Sequence, residues 1–456
     1  MMTEDYRRQP PAPLPPRALN LPTPVEATLE NGLRVVVVEQ SRLPLVSFRL
    51  ALRAGDAFDP PELPGLADML TSMLVEGTES RTSRQIAEEV ARLGATLNAG
   101  ATSDYTTVAA SALASFADDV LGLLADVTLR PSFPENELAL AKANAQQNLI
   151  AQRAQPSFLA SEAVARVIFG EHPYSVVSPT PESIEATTRD ALLAEHRAKF
   201  VPNNAVLFVV GDVRRAEALA RAEELFGGWR PGEVSEPEFP APPARDARAA
   251  YLVNRPGSAQ TNIVVANPCI RRTDPDYFPL IVMNTVLGGT ASARLFMNLR
   301  EEKGYTYGAY TQLDARRYAG SFRATTEVRN AVTGPSLREI FYELERVRAE
   351  DVSDKELTDA KTYLTGTFPI RLETQEGLVD QLVQIRMNGL PPDYLQTYRD
   401  NVQRVTKDEV RRVAARYVTP DRAAIVVVGD AAEIREQVAP FAPRLEDFEG
   451  ARATHA

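Results

Sequence analysis

The segment "FVPNNAVLFVVGD" at 200–212 returns as "YVTPDRAAIVVVGD" at 417–430, and this recurrence constrains the fold more than any other feature of the chain. Gly211 and Gly429 stand about 218 residues apart, a domain-sized period, so the chain reads as two similar units and not as a solenoid of short repeats. A length of 456 residues also exceeds what one hydrophobic core supports. Between the copies, "WRPGEVSEPEFPAPPARDAR" is rich in proline and charge and reads as a linker. The expected organisation is a proline-rich arm over 1–24, a first unit over 25–230, a linker over 231–248, a second unit over 249–443 and a tail over 444–456.

Local patterns fill in the units. "EATLENGLRVVVVEQ" places Asn-Gly between two strand-like runs, a strong hairpin signal, and "PLVSFRLALRAGDAFD" follows as a further strand. Helices are expected over 65–76, 83–94, 118–129 and 134–154, the last opening on Pro and acidic residues as helix starts prefer. "ATLNAGATSDYTTVAASAL" reads as β between the second and third of them. In the second half, strands are expected in "AAYLVNRPGSAQTNIVVANP", "YTYGAYTQLD" and "GSFRATTEV". Helices are expected in "DYFPLIVMNTVLGG", "SARLFMNLREEKG", "GPSLREIFYELERVRAE" and "SDKELTDAKTYLTGTF". The fold class is α+β: two homologous α/β-sandwich domains, each a mixed, mostly antiparallel sheet with helices packed on it.

Composition excludes several functions. A net charge of −11 with scattered basic residues would repel a nucleic acid over most of the surface. One cysteine, Cys269, forms no internal disulfide, and three histidines (His172, His196, His455) cannot build a His-rich metal site. No stretch approaches the roughly 20 apolar residues of a membrane span. The first 24 residues have no apolar h-region, so the expectation is no leader and a cytoplasmic location, with the periplasm as the alternative had a leader been removed.

The stretch "GLADMLTSMLVEGT" at 65–78 is a helix in a distinctive frame. With "NGLRVVVVEQ", "FGEHPYS" at 169–175, the "VVGD" ending each half and "SARLFMNLREEKGYTYGAY", it resembles the inverted-zincin metallopeptidases, the family of pitrilysin, insulin-degrading enzyme and mitochondrial processing peptidase. The resemblance covers nearly the whole chain. It implies that the frame should hold His-x-x-Glu-His, two imidazoles one helical turn apart for zinc with a general-base Glu between them. Asp68, Thr71 and Ser72 stand there instead, and Asn148 stands where the family supplies a glutamate ligand from a later helix. Thr71 has no basic group and Ser72 is a poor neutral ligand, so no metal is expected in this chain.

"SARLFMNLREEKG" puts Leu295, Phe296 and Leu299 on one helical face, with Gly304 placed to cap the C-terminus. A strand is expected to follow at once, with Tyr305, Tyr307 and Ala309 pointing one way, so that Arg300 and Tyr307 could converge across the turn. Taken alone, Arg300 is an ordinary helix-end cation and Tyr307 one aromatic in a sheet. In this frame the pair resembles the arginine and tyrosine that the family keeps in its non-zinc half, where they donate hydrogen bonds to the carbonyl oxygen of a peptide under attack. Other candidates read as structural: His172 as a hydrogen-bonded loop residue, Cys269 as core, and "ERVRAEDVSDKE" as a solvated helix surface and turn. "LGGTASARLF" lacks the lysine of a phosphate-binding loop.

The resemblance implies the non-catalytic subunit of a heterodimeric zinc metallopeptidase. A homologous partner carrying the zinc motif would supply zinc and the general base, and the two chains would close like a clamshell around a peptide or unfolded polypeptide. The competing expectation is a catalytically silent scaffold, or a peptide-binding homodimer of the same fold.

Overall fold

The structure, a computed structural model, describes residues 21–449. Most of the proline-rich arm, together with His455, falls outside the described residues. Two six-stranded sheets organise the chain. The first comprises β1 (Val25–Thr28), β2 (Arg34–Glu39), β3 (Leu45–Leu52), β4 (Thr96–Ala101), β5 (Thr106–Leu113) and β6 (Ala205–Gly211), in the order β1-β2-β6-β3-β5-β4. The second comprises β7 (Ala249–Asn254), β8 (Gln260–Cys269), β9 (Ala309–Ala315), β10 (Gly320–Arg329), β11 (Ala424–Gly429) and β12 (Leu445–Asp447), in the order β12-β7-β11-β8-β10-β9. β2 runs parallel to β6 as β7 does to β11, and the pairings from there to β4 and to β9 are antiparallel in both sheets. The recurring "VVGD" segments are therefore the ends of β6 and β11, at equivalent places in the two sheets.

The Asn-Gly signal forms the β1–β2 hairpin, with Gly32 at φ +89° and the Leu29 N–H donating to the Leu33 carbonyl. The linker carries no helix or strand up to β7. β12 lies in the stretch read as a tail and pairs in parallel with β7, so ordered sheet continues past residue 443.

The central strands read as unbroken apolar runs because both of their faces are covered. Val35, Val37, Phe48, Leu50, Leu207 and Val209 face helices of their own half. Val36, Val38, Val206, Phe208 and Val210 face the other way, into a core shared with Leu378, Val379, Leu382 and Val383 of the helix Gln375–Met387 from the second half. The exchange is reciprocal. The helix Pro156–Phe169 of the first half packs Leu159, Ala160, Ala163 and Val164 against Val264, Ala266, Val426 and Val428 of the second sheet. Each half thus closes the other's open sheet face.

Polar contacts fasten the same seam. The Tyr174 hydroxyl donates to Asp104 in the first half and accepts the Tyr318 N–H of the second at 3.3 Å. Glu236 of the linker accepts Arg53 Nη1 at 2.8 Å from one half and Arg317 Nη2 at 2.7 Å from the other.

Candidate functional sites

The helix Leu66–Leu74 begins at Gly65, whose φ of +89° and close approach to Pro179 leave no room for a side chain. Asp59 caps it from the preceding loop: its two carboxylate oxygens accept the N–H groups of Gly65 at 2.8 Å and Ala67 at 3.0 Å. Burial nevertheless raises the Asp59 pKa to about 7, against the pull of those donors. Asp56 nearby is pushed up to about 8, by burial first and then by the charges of Asp68 and Asp59.

The helix forms one wall of a cleft of about 380 Å³, and the helix Glu135–Arg153 forms the other. Asp68, Ser72 and Asn148 all line this cleft. Asp68 opens onto it, and the concave wall raises its pKa by burial. Thr71 does not join them. It is buried, and its hydroxyl donates to the Asp68 carbonyl at 3.0 Å, while Ser72 donates to the Met69 carbonyl at 2.8 Å. Both hydroxyls are thus committed to their own helix. One carboxylate, one committed hydroxyl and one amide do not fit zinc, which takes imidazole, thiolate and carboxylate ligands in a compact tetrahedron. Among the described residues no group of three or more His, Cys, Asp or Glu is placed to hold a metal ion.

The second constellation departs from its expected geometry in two ways. The stretch read as one helix is a short α-turn, Arg294–Phe296, running into a π-helix, Met297–Glu302, in which the Lys303 N–H donates to the Asn298 carbonyl five residues back at 3.0 Å. Such π-turns are rare and concentrate at functional sites. The strand read as "YTYGAYTQLD" starts only at Ala309. Gly304 at φ +64° ends the helix, and Thr306 folds the connection by bonding the Gly308 N–H and the Glu327 carbonyl. The alternation assumed for Tyr305, Tyr307 and Ala309 therefore does not apply.

No hydrogen bond joins Arg300 and Tyr307 among the described residues. Arg300 lies over the Phe296 ring at 5.0 Å and pairs with Glu301 at 3.4 Å. Tyr307 projects into solvent, 92% exposed.

Side chains not singled out in the sequence hold this segment in place. Arg294 forms a two-point contact with Glu356, Nε to Oε1 at 2.6 Å and Nη2 to Oε2 at 3.0 Å. Burial opposes it, yet Arg294 and the Ser353 groups pull the Glu356 carboxyl down to about 2. Glu356 lies at the end of the stretch read as solvated helix surface and turn, whose other charged residues are mostly exposed, but is itself half-buried against Arg294. Asn298 Nδ2 donates to Glu343 at 3.0 Å and Glu339 at 3.2 Å. Asn298 is buried and Met297 exposed, the reverse of what their polarity suggests, so no sequence signal marked them.

His172 is buried, its Nδ1 accepting the Tyr174 N–H at 3.0 Å, and burial lowers its pKa to about 4. It belongs to the domain seam. Cys269 is partly buried, and burial pushes its thiol up to about 12. No helix among the described residues is long and apolar enough to cross a membrane.

Comparison with known proteins agrees with this architecture. Residues 34–178 match the family model described as insulinase (peptidase family M16), and residues 186–364 match the one described as peptidase M16 inactive domain. A crystal structure of a peptidase M16 inactive domain from Pseudomonas fluorescens superposes with a TM-score of 0.84 at 28% identity, covering 89% of this chain and 98% of that one. A protease structure from Helicobacter pylori shares the fold, with a TM-score of 0.82 at 19% identity over 90% of this chain and all of that one. Among curated relatives, the uncharacterized zinc protease YmxG of Bacillus subtilis is 24% identical, over 76% of this chain and 84% of its own length. The non-peptidase homolog YmxG of Helicobacter pylori is 22% identical, over 82% and 87% respectively.

Proposed function

Because this chain belongs to the M16 (insulinase) peptidase family, with an N-terminal and a C-terminal M16 domain, we propose that it is the non-catalytic subunit of a two-subunit zinc metallopeptidase. The observation that carries this reading is Tyr307. It is held on a short, hydrogen-bonded connection and is 92% exposed, so its phenol is free to reach a group brought up by another chain. Arg300, also exposed, precedes it on the π-turn.

The partner would be a homologous chain that carries His-x-x-Glu-His, and zinc and the general base would belong to it. This chain would supply hydrogen-bond donors. When a peptide carbonyl is attacked, negative charge develops on its oxygen, and a phenol and a guanidinium already positioned there stabilise that charge without reorganising. Arg300 fits the part because its fork can span oxygen and neighbouring backbone together. The cleft at Asp68, Ser72 and Asn148 would keep its shape without the ligand chemistry, which supports a division of labour between subunits. The relatives described as an inactive domain and a non-peptidase homolog favour a chain silent by itself, and a pure scaffold or peptide-holding homodimer is the second reading.

Reconstitution tests the proposal. The chain alone and an M16 homologue bearing the zinc motif are each expected to leave an unstructured fluorogenic peptide essentially uncut. The mixture is expected to form a 1:1 complex and cleave it. Zinc-dependent cleavage by the isolated chain would refute the reading.

A further inference from the structure

Arg300 has little of its own to hold it: the side chain lies over the Phe296 ring at 5.0 Å and pairs with the adjacent Glu301 at 3.4 Å. Its place is therefore set by the backbone of the π-turn Met297–Glu302. One carboxylate of the helix Thr333–Ala349 ties that backbone down at two points. Glu339 Oε2 accepts Asn298 Nδ2 at 3.2 Å, and Glu339 Oε1 lies 3.6 Å from Lys303 Nζ. Asn298 and Lys303 are also the two residues joined by the 3.0 Å backbone hydrogen bond that distinguishes this turn from an α-turn. Glu339 thus clamps both ends of that bond, and Arg300 stands between them in sequence. Asn298 Nδ2 donates as well to Glu343 at 3.0 Å, one turn further along the same helix.

Two carboxylates four residues apart on one helix repel each other, and Glu343 is buried. The pair is tolerated because the Asn298 amide bridges it, with Lys303 beside Glu339 and Arg346 3.5 Å from Glu343. A partly exposed ion pair such as Lys303–Glu339 adds little to the stability of the whole chain, so its consequence is local. A π-turn takes up one residue more than an α-turn. A return to α geometry would rotate the residues beyond it by about 100° around the axis relative to those before it. Arg300 and the connection carrying Tyr307 would then leave the places they hold here. We propose that Glu339 is a positioning residue: through Asn298 and Lys303 it keeps the π-turn in register and so sets the place from which Arg300 acts. This inference rests on the part proposed for Arg300 in the partner's site, and it names the side chain through which that part is held.

A double-mutant cycle in the assembled complex tests it. Glu339→Ala is expected to lower kcat for peptide cleavage about tenfold with KM nearly unchanged, the pattern of an interaction made only in the transition state. In a complex already carrying Arg300→Ala, the same substitution is expected to change kcat by less than about twofold, because a residue that acts through Arg300 has nothing left to act through. An equal loss of kcat in both backgrounds, the mark of a merely structural role, overturns the inference, as does an unchanged kcat in Glu339→Ala alone. Lys303→Met, at the more exposed end of the clamp, is the variant expected to keep the fold, and to lower kcat about threefold, the size of one partly exposed ion pair. Amide hydrogen exchange in the isolated chain separates the clamp from the partnership. The Lys303 N–H is expected to exchange about tenfold faster or more in Glu339→Ala, and unchanged exchange overturns the inference whatever the complex does. A wild-type mixture that assembles without cleaving refutes the partnership alone, and faster exchange in Glu339→Ala still supports the clamp.

Discussion

At the scale of single residues, the first cleft is defined by where hydroxyls and carboxylates spend their hydrogen bonds. Thr71 and Ser72 bond back to helix carbonyls, so neither is available to a ligand without breaking a local contact. Asp56 behaves differently: one of its oxygens, Oδ1, is buried without a partner, and its pKa lies near 8. A carboxyl whose folded-state pKa is raised stays protonated in the folded chain while the unfolded chain has already released its proton. Stability from this group is therefore full below the ordinary carboxylate range and is lost as pH rises toward 8, at no more than about 1.4 kcal/mol per pH unit. Asp56→Asn is expected to raise the melting temperature at pH 8, to leave it nearly unchanged at pH 4 and to flatten the profile between. Thermal denaturation across that range reads the effect, and an equal shift at both ends would show that Asp56 is not the group titrating. The helix that carries Asp68, Thr71 and Ser72 was legible in the sequence, because its frame is local. The commitment of Thr71 to the core was not, since a helical threonine can face either way until neighbouring elements are placed.

At the scale of elements, local chemistry again carried far. The Asn-Gly hairpin, the acidic start of Glu135–Arg153 and the two copies of the "VVGD" strand all form where short-range rules place them. Two features escaped. A π-turn has the composition of an α-helix, and only the Lys303 to Asn298 hydrogen bond distinguishes it. The start of β9 at Ala309 depends on Thr306 reaching Glu327 on a neighbouring strand, a contact 21 residues away. The exchanged helices escaped for the same reason: Val379 and Phe208 are far apart in sequence and meet only in the folded chain. Val379 is fully buried in that shared core. Val379→Asp places an unpaired charge there and is expected to cost about 3 kcal/mol or more, lowering the denaturation midpoint of the whole chain in a single transition. Two separate transitions, with only the second half destabilised, would mean that the exchange does not couple the halves.

At the scale of the whole molecule, duplication explains both likeness and difference. Two sheets of one topology close on each other through exchanged helices, and Glu236 of the linker ties Arg53 to Arg317 across the seam. The first half presents a cleft at Asp68, Ser72 and Asn148 that does not fit zinc, and the second presents Arg300 and Tyr307 to the outside. The family resemblance led to the expectation of such an asymmetry from motifs, while the exposure of Tyr307 emerges only from the folded chain. The central claim is that these two side chains act in another subunit's site. The most direct measurement is kcat for peptide cleavage by the assembled complex carrying Tyr307→Phe, with complex formation checked by sedimentation. Loss of one oxyanion donor is expected to lower kcat by about 100- to 1,000-fold, or about 2.7–4 kcal/mol, with assembly intact. Full activity of the complex with Tyr307→Phe and Arg300→Ala combined would contradict the account and leave this chain a scaffold.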